Sequence, residues 1–177
     1  MAIETLTLGG GCFWCLDHLY RRIRGMKQVT SGYSGGQTKN PQYELVCSGN
    51  TGHAEVVQLQ FDNKIVSHQA LLEIFFCLHD PTTLNRQGAD VGTHYRSIIF
   101  YHTEAQRDAA QRYKTHLQNT LFFDQAIVTE IHKATLFYAA ESYHQDYFNN
   151  HPSNHYCQLS ITPKLKKLTT YFSELLD

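Results

Sequence analysis

The chain predicts an α/β (α+β) fold: a two-layer sandwich in which helices pack against one mixed β-sheet. Three features point there. Stretches with a period of two alternate with stretches at helical spacing along the whole chain. The links between them are short and turn-like, so antiparallel pairing is as open as parallel. The length of 177 residues, 42% hydrophobic and 18% charged, suits one domain with its own core rather than a disordered chain.

The elements follow in order. Ile3 to Leu8 alternates and is rich in β-favouring residues, so it reads as a strand. Gly9, Gly10 and Gly11 make a turn, and Leu16, Leu19, Tyr20 and Ile23 then fall at helical spacing until Gly25. Cys12 therefore sits at or near a helix start. Gln28 to Tyr33 is a second strand, broken by Ser34-Gly35-Gly36. Asn40-Pro41 reads as N-cap and first position of a short helix through Val46. Glu55 to Phe61 is a strand, and Ser67 caps a helix through about Leu78 that His79-Asp80-Pro81 stops. Thr82 to His94 is a polar loop long enough to suggest a function. Ser97 to Tyr101 is a strand, and Thr103 with Gln106 resembles a capping box for a helix to about Leu117. Ala126 to His132 is a strand, a helix is expected around Ala139 to Asn149, and a last one after Pro163.

Composition narrows the function. A formal charge of -1 provides no field for nucleic acid or an anionic membrane. No apolar run approaches the roughly 18–20 residues of a membrane helix. Met1 to Gly11 lacks the basic start and apolar stretch of a secretory signal, so a cytoplasmic location is expected. With five cysteines and no export signal, free, catalytic or metal-binding thiols are favoured over a disulfide framework.

Gly10-Gly11-Cys12-Phe13-Trp14-Cys15 is the sharpest local feature. A thiol at a helix N-terminus meets unpaired N–H groups and the positive end of the dipole, which favour thiolate. At a free pKa near 8.5 only about 3% of a thiol is ionised at pH 7, so such help matters to a nucleophile. A buried, inert cysteine is the other reading. The C-x-x-C spacing also admits a dithiol redox pair or half a zinc site. Zinc would want a second close pair, and Cys47, Cys77 and Cys157 stand singly, so no metal is expected. Phe13 and Trp14 are core residues by type, yet a hydrophobic wall beside a thiol would suit a substrate with a methyl group.

Thr51-Gly52-His53-Ala54-Glu55 is the second feature. Period two puts Glu55 on one face with Val57, Leu59 and Phe61. A carboxyl there is costly to ionise and is suited to donate a proton near neutrality, unless it lies at a solvated strand end.

Together these segments resemble the A-type peptide methionine sulfoxide reductases. The resemblance runs through Gly11-Cys12-Phe13-Trp14, Gly32-Tyr33-Ser34-Gly35-Gly36, Asn40-Pro41-x-Tyr43, Val46-Cys47-Ser48-Gly49 with Thr51 to Val56, and His79-Asp80-Pro81-Thr82. It continues through Asn85-Arg86-Gln87-Gly88, Asp90-x-Gly92-Thr93 with Tyr95-Arg96-Ser97, and Tyr143 to Tyr147. The order is the family's, from residue 9 to about 157. The resemblance implies a two-layer sandwich that reduces the S-epimer of methionine sulfoxide, free or in proteins. It implies Cys12 as nucleophile passing through a sulfenic acid, Phe13 and Trp14 around the substrate methyl, and Glu55 as the acid. It further implies Tyr43 and Tyr95 on the sulfoxide oxygen and Asp90 in positioning and turnover. A second cysteine then forms a disulfide, which thioredoxin reduces (dithiothreitol in vitro), with no bound cofactor. Cys157, after Asn154-His155-Tyr156, is taken as the resolver in a mobile C-terminal segment from about residue 149, with Cys15 as the alternative. Cys47 and Cys77 read as structural. Asp17 and His94 depart from the family's commoner glutamate and glutamine. A monomer is expected.

Overall fold

The computed structural model describes residues 2–177. Its centre is three long antiparallel strands, β1 (Ile3–Gly9), β2 (Met26–Ser34) and β3 (Ala54–Asp62), with β3 between the other two. The alternation in β3 has the expected consequence. Val57, Leu59 and Phe61 are buried against Leu16, Leu19 and Tyr20 of α1 (Phe13–Tyr20) and Leu71 and Phe75 of α3 (His68–Leu78) in one core. The opposite face is also covered where β3 begins. Ala54 and Val56 form a second cluster with Ile98 and Phe100. The first residues of β3 are thus shielded on both sides.

α2 (Tyr43–Cys47) precedes β3, and the polar loop proves to carry a small hairpin of two-residue strands, β4 (Arg86–Gln87) and β5 (Asp90–Val91), and a 3₁₀ turn over Thr93–Tyr95 ahead of β6 (Ile98–Tyr101). Beyond α4 (Glu104–Asn119) come β7 (Glu130–Lys133), β8 (Phe137–Ala139), α5 (Tyr147–Asn150) and α6 (His155–Tyr171). The six-stranded sheet runs β7-β6-β1-β3-β2-β8 and is mixed, since β6–β7 is parallel and its other pairs are antiparallel.

Two caps form where the sequence places them. Ser67 Oγ accepts from Ala70 N at 3.0 Å, and Thr103 Oγ1 accepts from Gln106 N at 3.2 Å. Other expectations are corrected. α1 closes at Tyr20, short of Gly25. Asn40 adopts a left-handed φ of 47°, so the short helix starts at Tyr43 with Gln42 as its N-cap. Its Tyr43 N–H instead reaches Glu141 Oε2 at 3.0 Å, an acceptor distant in sequence. The strand expected from Ala126 forms only over Glu130–Lys133. The helix expected over Ala139 to Asn149 does not form. Its start joins the open edge of β2, where Ala139 pairs with Gly32. A Cβ on Gly32 would collide with the Phe137 ring and the Tyr138 carbonyl, so glycine is what lets β8 close in. Ser142–His144 makes a 3₁₀ turn, and only Tyr147–Asn150 turns α-helical, after Asp146 at a φ of 51°.

The last helix begins at His155, with Pro163 inside it. Asn154 Oδ1 accepts from Cys157 N at 3.0 Å and so caps it earlier than the proline suggested. Pro163 forfeits its own bond to the Leu159 carbonyl, and Leu159 lies on the exposed side. Among the described residues, no helix is long and apolar enough to cross a membrane.

Because Leu59 is fully buried in the core while Ser67 contributes one cap, Leu59→Ala should lower the unfolding free energy by about 2–5 kcal/mol. Ser67→Ala should lower it by about 0.5–2 kcal/mol. Urea denaturation of both variants checks the ranking.

Candidate active site

β1 ends at Gly9, and Gly11, at a φ of 86°, turns the chain into α1. That backbone region is open to glycine at little cost. Cys12 is the N-cap residue of α1, with an extended backbone and no side-chain capping bond. A helix start leaves its first N–H groups without partners. Here the Phe13 N–H donates to Glu55 Oε1 at 3.1 Å, across the gap from α1 to β3. The carboxyl expected to serve as the acid thus lies at the first turn behind the candidate nucleophile.

Glu55 is 1% exposed, so the solvated strand-end reading is excluded. Burial pushes its pKa up to about 8. The Phe13 N–H opposes this and the Asp90 charge adds to it. The carboxyl is therefore predominantly protonated at neutral pH.

Cys12 corrects the expectation of a resting thiolate. It is 9% exposed, and burial pushes the thiol well above its ordinary value, helped by Glu55, Cys15 and Asp90 and opposed by the Trp14 N–H. The reason is geometric. The first free N–H of the helix is engaged by Glu55 rather than by sulfur, and desolvation outweighs what remains.

The other predicted residues gather around this pair. Tyr43 and Tyr95 are half-buried phenols with pKa values raised by burial first, and Glu55 is among the charges acting on both. Asp90 accepts a hydrogen bond from the Tyr156 hydroxyl. Cys12, Cys15, Gln87, Asp90, Tyr156 and Lys164 line a cleft of about 170 Å³. Phe13 is fully buried, its ring 5.7 Å from that of Tyr33 and 5.2 Å from that of His144. Trp14 is half-buried. It stacks on Tyr147 at 3.8 Å, and its Nε1 donates to His144 Nδ1 at 3.0 Å.

Cys157 lies in the first turn of α6, fully buried in one apolar cluster with Cys15 and Ile161. Burial pushes its thiol up to about 11. All five cysteines are free. Cys77 is half-buried on α3. Cys47, half-buried at the end of α2, lies close to Glu55.

Several contributors escaped the sequence reading. The Tyr33 hydroxyl donates to Glu141 Oε1 at 2.9 Å while Glu141 Oε2 receives the Tyr43 N–H, so Glu141 positions the Tyr43 backbone. The His144 ring packs 4.5 Å from that of Tyr43. Asp17 is fully buried, accepts from Arg21 and from Ser31 Oγ at 2.8 Å, and so ties α1 to β2. His53 takes the Gly36 N–H at 2.9 Å and lies 2.7 Å from the Thr38 carbonyl, a structural role. His144 and Tyr156 stand inside the segments Tyr143 to Tyr147 and Asn154-His155-Tyr156, which give neither a role. Nothing in the spacing of Glu141 marks it.

The sequence profile described as "Peptide methionine sulfoxide reductase" matches residues 4–175. The chain is 52% identical over 172 residues to the peptide methionine sulfoxide reductase MsrA of Trichodesmium erythraeum, covering 97% of each chain. It is similar to reduced Mxr1 from Saccharomyces cerevisiae, with a TM-score of 0.79 at 35% identity, covering 86% of this chain and 88% of that one. It is also similar to Mxr1 in complex with Trx2, at a TM-score of 0.56 and 27% identity, covering 82% and 84%. Agreement along nearly the full length, in sequence and in fold, places the chain in the peptide methionine sulfoxide reductase family.

Proposed function

We propose that Cys12 and Glu55 together carry out the family's reaction, with Cys12 as nucleophile and Glu55 as acid. As a peptide-methionine (S)-S-oxide reductase, the enzyme converts methionine S-sulfoxide to methionine by thiol chemistry. The observation that carries the residue assignment is the 3.1 Å bond from Phe13 N–H to Glu55 Oε1.

A sulfoxide sulfur is a poor electrophile until its oxygen gains a proton. The substrate oxygen is directed toward Glu55, Tyr43 and Tyr95, and its methyl toward Phe13 and Trp14. Glu55 gives its proton to the oxygen as the Cys12 sulfur attacks, and then takes up the thiol proton. Methionine leaves and Cys12 becomes a sulfenic acid. Two electrons pass from the cysteine sulfur to the substrate sulfur, so thiol plus sulfoxide becomes sulfenic acid plus thioether. A second thiol then displaces water from the sulfenic sulfur to form a disulfide, and an external dithiol reduces it. Thioredoxin is the proposed reductant, supported by the complex of Mxr1 with Trx2. Oxidised proteins and free methionine sulfoxide are the proposed substrates.

Cys157 is the proposed resolver. The segment from about 149 opens to release it from the cluster it shares with Cys15. Asp90 acts as a positioning residue, since Tyr156, its hydrogen-bond partner, directly precedes Cys157. Cys15 is the second reading, favoured by the cleft it shares with Cys12. Five free thiols suit a reducing, cytoplasmic setting. A monomer is proposed.

Cys12→Ser should abolish sulfoxide reduction, and Glu55→Gln should slow the single-turnover step by roughly 10²–10⁴-fold. Rapid-quench assays with an S-sulfoxide substrate check both. The step uses both protons, the acid's and the thiol's, so the reactive form keeps both. The single-turnover rate should therefore be highest below about pH 8 and fall as pH rises through it, where Glu55 loses its proton. Since the Glu55 charge raises the Cys12 pKa, Glu55→Gln should move the midpoint of Cys12 alkylation by iodoacetamide to lower pH. Peptide mapping after one turnover should recover a Cys12–Cys157 disulfide. A Cys12–Cys15 linkage would reassign the resolver.

A further inference from the structure

We propose that Cys47, Glu55 and His94 form a binding site for one borderline divalent cation of the Zn²⁺ class, and that the bound ion holds the active-site acid as carboxylate. One thiol sulfur, one carboxyl oxygen and one imidazole nitrogen from these residues all lie within 4.8 Å of one another. They come from three separate segments: the end of α2, the start of β3 and the 3₁₀ turn over Thr93–Tyr95. Sequence spacing offers only Cys12 and Cys15 as half of a zinc site. Folding instead assembles a mixed donor set around the cysteine that stood alone.

Two buried polar atoms support a ligand here. Glu55 Oε2 and His94 Nδ1 have no hydrogen-bond partner, in side chains 1% and 5% exposed. Arg107 Nε and ring nitrogens of His18, His68 and His144 also lack partners, so what points to a ligand is that the Glu55 and His94 side chains meet a thiol in one cluster. A sulfoxide oxygen would account for the free Glu55 oxygen, but it leaves the His94 nitrogen unexplained. Burial lowers the His94 pKa and keeps the ring neutral, the form that ligates metals.

The donor chemistry selects the ion. Thiolate, imidazole and carboxylate together suit zinc, whereas calcium and magnesium take oxygen ligands. Tetrahedral zinc bonds of about 2.0–2.3 Å set donors roughly 3.3–3.8 Å apart, a span that lies inside the 4.8 Å within which the three atoms sit. Three protein ligands leave the fourth position to water. The Phe13 N–H on Glu55 Oε1 serves as an outer partner that orients the carboxylate. Cys47 is partly exposed and provides the way in.

Binding releases the Cys47 and Glu55 protons to solvent and involves no change of oxidation state. With its carboxylate on the ion, Glu55 has no proton to give, so a bound ion switches the reductase off until it is removed. This consequence for turnover rests on Glu55 acting as the acid. The ion site itself does not.

Cobalt(II) titration of the full-length reduced protein tests the site without reference to activity. The Cys12→Ser/Cys15→Ser double variant should retain a sulfur-to-cobalt charge-transfer band saturating at one ion per chain. His94→Gln and Cys47→Ser, each in the otherwise native chain, should weaken that site by at least about tenfold. If one of them fails to fold, the other decides. Loss of the band in the double variant with retention in Cys47→Ser would move the site to the dithiol and overturn the proposal, as would no saturable binding to the reduced native chain. Zinc at saturation should block single turnover by pre-reduced enzyme without added thiol, and a chelator should restore it. Full turnover with the ion bound would overturn the switch. Normal turnover by Glu55→Gln would instead remove the acid assignment and leave the cobalt result standing.

Discussion

The site depends on one hydrogen bond, from the Phe13 N–H at the start of α1 to the Glu55 carboxyl at the start of β3. It satisfies a helix donor that would otherwise lack a partner, and it gives a buried carboxyl one partner for its two oxygens. It also sets the distance between the sulfur-bearing turn and the acid-bearing strand. Sequence separation between the two residues is large, so the bond exists only because the sheet and α1 pack as they do.

That arrangement determines the protonation chemistry. The carboxyl is shielded by the main core on one side of β3 and by Ala54, Val56, Ile98 and Phe100 on the other. Desolvation therefore dominates the pKa of Glu55 and raises that of Cys12 as well. A fully charged thiolate would be hard to keep in such a place. Desolvation favours the neutral form of both groups at rest.

Around this pair, groups far away in sequence hold the machinery still. Glu141 ties Tyr33 and the Tyr43 backbone together, His144 bridges the rings of Phe13, Trp14 and Tyr43, and Asp17 anchors α1 through Ser31 to β2. Asp17, a departure from the family's commoner residue, is a buried connector. His94, the other departure, brings an imidazole nitrogen within 4.8 Å of donor atoms of Glu55 and Cys47.

Local pattern was enough for much of this. The period of two in β3, the serine and threonine caps of α3 and α4, and the glycine turn before Cys12 are short-range rules, and they placed Glu55 on the core face and Cys12 at a helix start. Motif order alone revealed the family. Local rules failed where a distant partner competed with them. The open edge of β2 drew Phe137–Ala139 into the sheet, the Asn154 cap began α6 ahead of Pro163, and Glu141 replaced a local cap at Tyr43. The protonation of Cys12, the pairing of Cys157 with Cys15 in one cluster and the meeting of Cys47, Glu55 and His94 were decided by tertiary structure. Desolvation and proximity depend on what surrounds a group in space, and neighbours along the chain do not specify that.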